Sequence, residues 1–527
     1  MSTLAGTGAL VRLILRRDRV RLALWIAAIV VVTVASAAAL AKLFPTPESR
    51  ALFAAGITGN QTFVALIGPL FDATTIGGLI AWRLGGFGAV VVALVSLLTV
   101  VRHTRAEEEA GRRELLGSAA VGRHAALAAA LLVTGGADLL VAVLVAAGLI
   151  ACGLPAAGAI AMGLSFALAG WTFAAIAAVA AQLFETARAA SGIAGAMLGA
   201  AYLARAVGDA EGGSWLSWVS PIGWAQRVRP FAGEQWWVCA FAATVAAALA
   251  TAAQTLSARR DLGAGIVRPR PGRATASRWL GGPFGLAWRL QRGALLGWTI
   301  GFAVVGAALG SVAESIADLL NSSPRIRVLV ATLGGQGAVV DAYFTAVFGI
   351  LGLVASGYGI QATLRLRSEE EDARAEPVLA ASVSRLRWAT SHLVFAALGP
   401  AIALAAAGVT AGFVHGAPDD VPRLAATAMV QLPAVWVLVG IALALFGAAP
   451  RFARASWGAL AGCIVLGQLG QPLQFPSWAM SLSPFTHLPR PGSGGVEAAP
   501  LLLLLATASA FTLAGLLALR RRDLATA

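Results

Sequence analysis

Long apolar stretches alternate with shorter polar segments along the whole chain. Stretches of about 20 apolar residues, the length that crosses a bilayer as a helix, occur twelve times in the 527 residues. They lie near 22–41, 84–101, 125–151, 159–181, 190–207, 236–257, 295–316, 343–364, 389–414, 424–447, 456–473 and 499–519. The pattern predicts an all-α integral membrane protein with about twelve transmembrane helices.

The composition argues against an ordinary soluble domain. Hydrophobic residues make up 58% of the chain and charged residues 12%, whereas soluble domains carry about 25% charged residues. The basic segment Arg12–Arg21 precedes an apolar run of about 20 residues, whereas the apolar core of a cleaved signal peptide has about 7–15. We therefore interpret residues 22–41 as a retained first span.

Basic residues mark one side of the predicted membrane. The chain has 39 lysine and arginine residues and a formal net charge of +14. If the N-terminus is cytosolic, the inner segments hold 29 of them and the outer segments 8, as the positive-inside rule requires. This predicts a plasma-membrane protein with both termini in the cytoplasm, and it accounts for the charge without a nucleic-acid partner.

Two polar motifs recur at a constant offset. Arg105-Ala-Glu-Glu-Glu109 returns as Arg367-Ser-Glu-Glu-Glu371, 262 positions later. Arg259-Arg260-Asp261-Leu262 returns as Arg521-Arg522-Asp523-Leu524 at the same offset. The duplication predicts two tandem six-helix repeats, and because six is even, both repeats have the same orientation about an axis along the membrane normal.

The repeats fix the predicted domain boundaries. The first repeat covers 1–257 and the second covers 284–527, and a cytosolic linker rich in arginine, proline and glycine, 258–283, joins them. The linker is interpreted as a tether, with contact to anionic lipid headgroups as the alternative.

The most polar segments of the chain, 102–123 and 365–388, each follow the second span of their repeat. Glu108–Arg112, Glu109–Arg113 and Glu370–Arg374 have the spacing of ion pairs one helical turn apart. Each segment is predicted to be a short amphipathic helix in the cytosol, which either caps the bundle or docks a partner. The candidate docking residues are Arg105, Glu107, Glu108, Glu109, Arg112, Glu114, Arg367, Glu369, Glu370, Glu371, Arg374 and Glu376.

The chain lacks the motif that binds ATP in P-loop proteins. That motif requires a lysine after a glycine-rich loop, and the single lysine, Lys42, follows no such loop. The five histidines and three cysteines have no metal-ligand spacing, and neither a metal site nor catalytic residues are predicted. The sequence therefore does not predict an enzyme.

A few ionisable residues fall within or beside the predicted spans: Asp138, Glu314, Arg83 and Arg205. A charge inside a span faces the bundle interior or a cavity, because exposure to lipid is costly. Each residue is either a polar brace between helices or part of a substrate path. Asp138, in the middle of the third span, is also the best candidate for proton coupling if the protein is a secondary transporter.

The polar motifs resemble those of ABC-2 type permeases, and within them the actinobacterial exporters of polyketide antibiotics (the tetronasin-type family). The basic segment Val11–Arg21 is similar to that family's elbow helix, which gives a predicted elbow at 7–21. Arg105-x-Glu-Glu-Glu-x-Gly-Arg-x-Glu-Leu-Leu116 is similar to its coupling region, and Arg367 to Leu379 gives the second copy. The second copy departs at Ala373 and Pro377.

The resemblance implies the membrane-spanning permease of an ATP-driven exporter of hydrophobic compounds, either drugs such as antibiotics or lipid-like molecules. It implies that two copies of a separately encoded ATP-binding subunit drive transport. ATP and Mg²⁺ would bind to that subunit, with no cofactor on this chain, and membrane lipids would surround the spans.

Two other classes remain open at this point. A proton-coupled transporter of the major facilitator kind also has twelve spans, and Glu109-Ala-Gly-Arg-Arg113 is similar to its loop motif. However, the segment here is about 22 residues long, where that family has a short connection. A membrane scaffold without transport activity is the third class.

Overall fold

The computed structural model describes residues 3–57, 61–113, 121–267, 275, 277–322, 336–416, 419–469, 476–489 and 498–523. Over these residues the chain forms helices, turns and irregular segments, with no strand. Eleven helices in the described ranges are long and apolar enough to cross a membrane. The prediction of an all-α integral membrane protein is confirmed.

The chain divides into two compact units, Met1–Gly272 and Arg273–Ala527. The long helices of the first unit are α1 (Thr7–Leu43), α2 (Ile76–Val101), α3 (Ala125–Ala151), α4 (Ala156–Leu183), α5 (Ala187–Ala210) and α6 (Trp236–Ala258). Short helices lie between α1 and α2 (Pro47–Ile57, Gln61–Leu66) and between α5 and α6 (Trp215–Val219, Pro221–Arg227).

Helix α4 is the centre of the first unit and packs against α2, α3 and α6. Phe166 and Phe173 on α4 are fully buried. Glycine permits the close approach of α3 and α4, because a Cβ added at Gly163 would overlap the carbonyl oxygen of Ala142. Small residues at such contacts are the usual means by which membrane helices pack closely.

The predicted elbow, 7–21, is not a separate helix. It forms the first four turns of α1, which continues without a break through the predicted first span. Helix α1 contains no proline, which is a common cause of a sharp kink. At 1.5 Å per residue its 37 residues extend about 55 Å, well beyond the ~30 Å of a hydrocarbon core.

The second unit contains α7 (Pro283–Ser322), α8 (Gln336–Glu371), α9 (Arg385–His415), α10 (Asp420–Met429), α11 (Leu432–Ala448), α12 (Ser456–Leu469) and α13 (Ala498–Arg521). Short helical segments are Arg278–Leu280, Ala375–Ala380, Pro450–Ala455, Ser477–Met480 and Pro484–His487. Helix α7 packs against α9, and α11 packs against α13.

The spans of the second unit differ in one respect from the predicted set. Asp420–Ala448, interrupted only at Val430 and Gln431, forms one candidate span from α10 and α11. The predicted span 456–473 begins as helix α12 at Ser456, and the described part ends at Leu469. Residues 470–473 lie outside the described residues.

Candidate functional site

Helix α2 does not end where its apolar sequence ends. It continues as a π-helix over Arg102–Ala106 and then as one α-helical turn, Glu107–Glu109. Gly111, with φ of 69°, then turns the backbone into the left-handed region that favours glycine. Residues 102–109 therefore continue the second span and do not begin a separate amphipathic helix. Glu114 lies outside the described residues.

The predicted ion pairs of this segment are wrong by one residue. Arg112 Nε donates to Glu107 Oε2 at 2.6 Å, and Arg113 Nη1 to Glu108 Oε2 at 3.3 Å, so both pairs have i,i+5 spacing. The helix ends at the Gly111 turn, which moves both arginines off the α-helical register. Glu109 instead accepts a hydrogen bond from the backbone N–H of Ala187, at the start of α5, at 3.0 Å.

The second copy of the acidic run departs from the prediction in the same way. Arg374 pairs with Glu369 at 3.2 Å and not with Glu370. Ala373, at the position equivalent to Gly111, also has a positive φ, 55°. The backbone thus keeps the same turn although the residue has a Cβ. Glu376 is exposed on the short helix that follows.

Glu108 is the centre of a buried polar cluster. Its carboxylate accepts hydrogen bonds from Arg260 Nη1 at 2.6 Å, from Arg260 Nη2 at 2.7 Å and from the backbone N–H of Gly263 at 2.7 Å. Arg105 Nη1 lies 3.2 Å from Glu108 Oε2. Because Arg260 follows α6, this first clamp (Arg105, Glu108, Arg260 and Gly263) joins the ends of α2 and α6.

The first clamp also holds the loop between α4 and α5. Arg105, whose side chain is 1% exposed, donates from Nε to the carbonyl oxygen of Glu185 at 2.6 Å. Arg260 Nε donates to Gln182 Oε1 at 2.8 Å. Four helix ends of the first unit therefore meet at one buried set of charges.

The second unit contains an equivalent clamp. Arg522 Nη2 donates to Glu370 Oε2 at 2.6 Å, and Arg367 donates to the carbonyl oxygen of Pro450 in the loop after α11. This second clamp (Arg367, Glu370 and Arg522) uses residues 262 positions after Arg105, Glu108 and Arg260.

A third contact repeats with the same register. Arg123 Nη2 donates to the carbonyl oxygen of Arg260 at 3.2 Å, and Arg385 donates to the carbonyl oxygen of Arg522. Arg123 lies just before the third long helix of the first unit, and Arg385 is the first residue of the third long helix of the second unit. Sequence reasoning did not place Arg260 or Arg522 in the site, although the repeated Arg-Arg-Asp-Leu motif was the signal that could have found them.

Exposed arginines surround the two clamps. The side chains of Arg17, Arg112, Arg374 and Arg454 are 44%, 48%, 52% and 73% exposed. The hydrogen bond to Glu107 raises the pKa of Arg112, whereas burial lowers the pKa of Arg113. Glu108 and Glu370 are buried, whereas Glu109, Glu371 and Glu376 are exposed, so both charges are available to a partner at these ends. We call these four arginines the basic rim.

One feature of the first clamp's surroundings is not repeated. Asp18 on α1 is buried and lies 2.7 Å from His103 Nε2 and 3.0 Å from Arg102 Nη2. Gln291 on α7, which aligns with Asp18, instead lies 3.2 Å from His392 Nδ1. The first unit therefore attaches α1 to the end of α2 through charge, whereas Gln291 in the second unit joins α7 to α9.

Asp138 is completely buried within the helix bundle, as predicted for a charge inside a span. Its Oδ1 accepts a hydrogen bond from Ser96 Oγ on α2 at 2.7 Å. A Cβ added at Gly170 on α4 would lie 2.5 Å from Asp138 Oδ2. The aspartate thus braces α2, α3 and α4 against one another.

The candidate path residues of the first unit have different surroundings. Arg205 is buried at the far end of α5 and donates to the carbonyl oxygens of Ala65 and Leu66, at 3.1 and 3.2 Å. Arg83 is exposed on α2. Glu314 lies on α7, and its side chain is outside the described residues.

Comparison with known proteins identifies the family. Residues 280–520 match the sequence profile of the family described as "Multidrug efflux system permease Rv1217c, C-terminal domain". Over 528 aligned residues the chain is 44% identical to the "Multidrug efflux system permease protein Rv1217c" of Mycobacterium tuberculosis. The alignment covers 99% of this chain and 96% of that relative. At this identity over the full length, the chain belongs to the family of the multidrug efflux system permease Rv1217c.

Proposed function

We propose that this chain is the membrane-spanning permease of an ATP-driven exporter of hydrophobic compounds. In this proposal a separately encoded ATP-binding subunit binds ATP and Mg²⁺ and docks in two copies, one at each clamp. The chain itself performs no catalysis. The name of the mycobacterial relative, a multidrug efflux permease, supports drugs as the cargo.

The observation that carries the proposal is the recurrence of the clamp in both units. In each unit a buried glutamate at the end of the second long helix binds an arginine at the end of the last. A partner that displaces the end of α2 therefore also displaces the end of α6, because the carboxylate binds both. Two equivalent clamps suit two copies of one partner.

The exposed arginines of the basic rim would suit an acidic surface on the partner. The carboxylates of Glu107 and Glu108 are paired within the chain, whereas Arg112 and Arg374 are about half exposed. We infer that the basic rim contacts an acidic surface of the ATP-binding subunit. Such contacts govern the rate of association and its salt dependence more than affinity.

The experiment is co-purification of the full chain with an ATP-binding subunit encoded beside its gene. Native mass spectrometry should detect two copies of the subunit for each chain. Arg112→Gln combined with Arg374→Gln should weaken the complex and reduce its sensitivity to salt, whereas Lys42→Gln, at an exposed cation at the other end of α1, should not. The Arg112→Gln, Arg374→Gln variant should also lose ATP-dependent export in proportion to the loss of the complex.

The result that contradicts the proposal is export without any ATPase. If the purified chain alone moves drug across a vesicle membrane and a proton gradient drives it, the protein is a secondary transporter of the alternative class. A chain that binds no ATP-binding subunit and moves no drug would also contradict the proposal.

A further inference from the structure

A cavity lies at the end of the first unit opposite the first clamp. It has a volume of about 510 Å³, and its charged lining residues are Asp209, Arg227 and Arg229. Phe71 and Pro69, from the segment before α2, form its apolar wall. This volume is within the range of small-molecule sites, about 300–1,000 Å³.

The cavity holds more positive than negative charge. Arg227 Nη2 lies 3.6 Å from Asp209 Oδ1, but the same oxygen already accepts a hydrogen bond from Ser217 Oγ at 2.6 Å. Buried Arg205 lies 3.8 Å from Asp209 Oδ2. The Asp209 carboxylate is therefore shared by two guanidinium groups, and Arg229 adds a further positive charge to the cavity lining.

The donors of Arg227 are not used within the described part of the chain. Its side chain is 13% exposed, and its Nε and Nη2 atoms are buried without a hydrogen-bond partner there. Leaving buried donors of a charged group unpaired is costly. A bound anion would satisfy them in the geometry that guanidinium groups favour for carboxylate and phosphate.

The second arginine is held in position by an aromatic ring. The Arg229 guanidinium lies 4.8 Å from the centre of the Phe71 ring, and Arg229 has a positive φ of 51°, a conformation that is uncommon for a residue with a Cβ. Trp218 packs at 5.0 Å from the Arg227 guanidinium and stacks on Trp237. Tryptophans of this kind are typical of the headgroup level of a membrane.

We infer that this cavity binds the anionic group of an amphiphile. A carboxylate or phosphate would pair with Arg227 and Arg229, and its apolar body would lie on Phe71 and Pro69 towards the lipid. The anion has two possible sources, the headgroup of an anionic phospholipid or an exported compound that carries an acid group.

The test is photo-crosslinking of the full chain in nanodiscs of zwitterionic phosphatidylcholine. The probe is a dodecanoic acid with a photoreactive diazirine in its chain, and its methyl ester is the neutral control. The acid should label peptides that contain Phe71 or Arg229, and the ester should label them about tenfold less, the ratio expected for one charge-assisted hydrogen bond. Neither ATP nor a partner subunit is needed, so failure here would leave the proposed export function untouched.

Substitutions distinguish binding of the acid at this cavity from non-specific attraction of an anion to a basic protein. Arg227→Gln with Arg229→Gln should reduce labelling by the acid to the level of the ester, and Lys42→Gln should not change it. Arg229→Gln alone retains the Arg227–Asp209 pair, so it preserves the fold and should still lower labelling. If added phosphatidylglycerol reduces labelling by the acid, the occupant is a lipid headgroup. If labelling persists in the presence of phosphatidylglycerol, the occupant is a free acid. Equal labelling by acid and ester, or equal labelling of the wild type and Arg229→Gln, would overturn the inference.

Discussion

Glu108 and Arg260 are 152 positions apart in the sequence and form a two-point hydrogen bond, at 2.6 and 2.7 Å, between the ends of α2 and α6. Glu370 and Arg522 are also 152 positions apart and are joined at 2.6 Å. The same pairing at the same separation means that each unit closes its helix bundle by the same contact. A substitution in one pair can therefore be compared with the equivalent substitution in the other unit.

Loss of the Glu108 carboxylate should destabilise the first unit severely. Glu108→Gln leaves Arg105 and Arg260 buried without their shared countercharge, and breaking a buried pair costs about 3–5 kcal/mol. Glu107→Gln removes a carboxylate whose partners, Arg17 and Arg112, are nearly half exposed, so it should cost about 1 kcal/mol or less. Thermal unfolding in detergent measures both. Equal shifts in Tm would show that the clamp does not hold the helix ends.

The contact between α3 and α4 should not tolerate a methyl group at Gly163. A Cβ there overlaps the backbone carbonyl of Ala142, which cannot rotate away, and overpacking costs about 1–3 kcal/mol. Gly136→Ala on α3 is the matched control, because a Cβ at Gly136 meets no atom within 4 Å. Gly163→Ala should lower Tm, and Gly136→Ala should leave it unchanged or raise it slightly. The opposite order would contradict the described packing.

Substitutions of Arg205 and Arg83 should have different effects on amide exchange, although both residues were predicted as candidates for a substrate path. Arg205→Gln removes charged hydrogen bonds to two backbone carbonyls of the segment before α2, each worth about 1.5–3 kcal/mol. Amide hydrogen exchange should therefore accelerate in residues 64–68, which those bonds hold in place. Arg83→Gln, at an exposed position, should leave exchange there as in the wild type. If exchange rises in neither variant, Arg205 is not a brace.

Asp138 should be replaceable without loss of export. Asp138→Asn retains an acceptor for the Ser96 hydroxyl and changes the side-chain volume little, so the brace between α2, α3 and α4 persists. ATP-dependent export should continue at close to the wild-type rate, because the variant retains the hydrogen bond and the proposed transport does not use the carboxyl proton. Asp138→Leu, which removes the acceptor, controls for a packing role. Abolished export in Asp138→Asn with an unchanged Tm would instead favour proton coupling.

The sequence predicts the membrane class well because hydrophobicity alone decides it. The start of α12 at Ser456 and the bounds of α3 at Ala125 and Ala151 follow directly from where the apolar runs begin and end. The buried position of Asp138 follows from the cost of exposing a charge to lipid.

The ion pairs were predicted less well, because local spacing does not determine them. Glu108 has a favourable partner one turn away in Arg112, yet its carboxylate binds Arg260, which is distant in the sequence. The π-helix at Arg102–Ala106 changes the faces on which the later residues lie, and no periodicity in the sequence indicates it. The sequence still contained an indirect signal for the arginine partners of Glu108 and Glu370. Arg260 and Arg522 recur at the same 262-residue offset as the acidic runs.

The central claim, that ATP hydrolysis on a partner drives export through this chain, is tested most directly by transport into sealed proteoliposomes. The vesicles contain the chain with its ATP-binding subunit, and the fluorescence of doxorubicin reports uptake after ATP and Mg²⁺ are added outside. The predicted result is uptake that requires ATP, persists when an ionophore removes the proton gradient and falls in the Arg112→Gln, Arg374→Gln variant. Uptake that needs no ATP and collapses with the proton gradient would contradict the account.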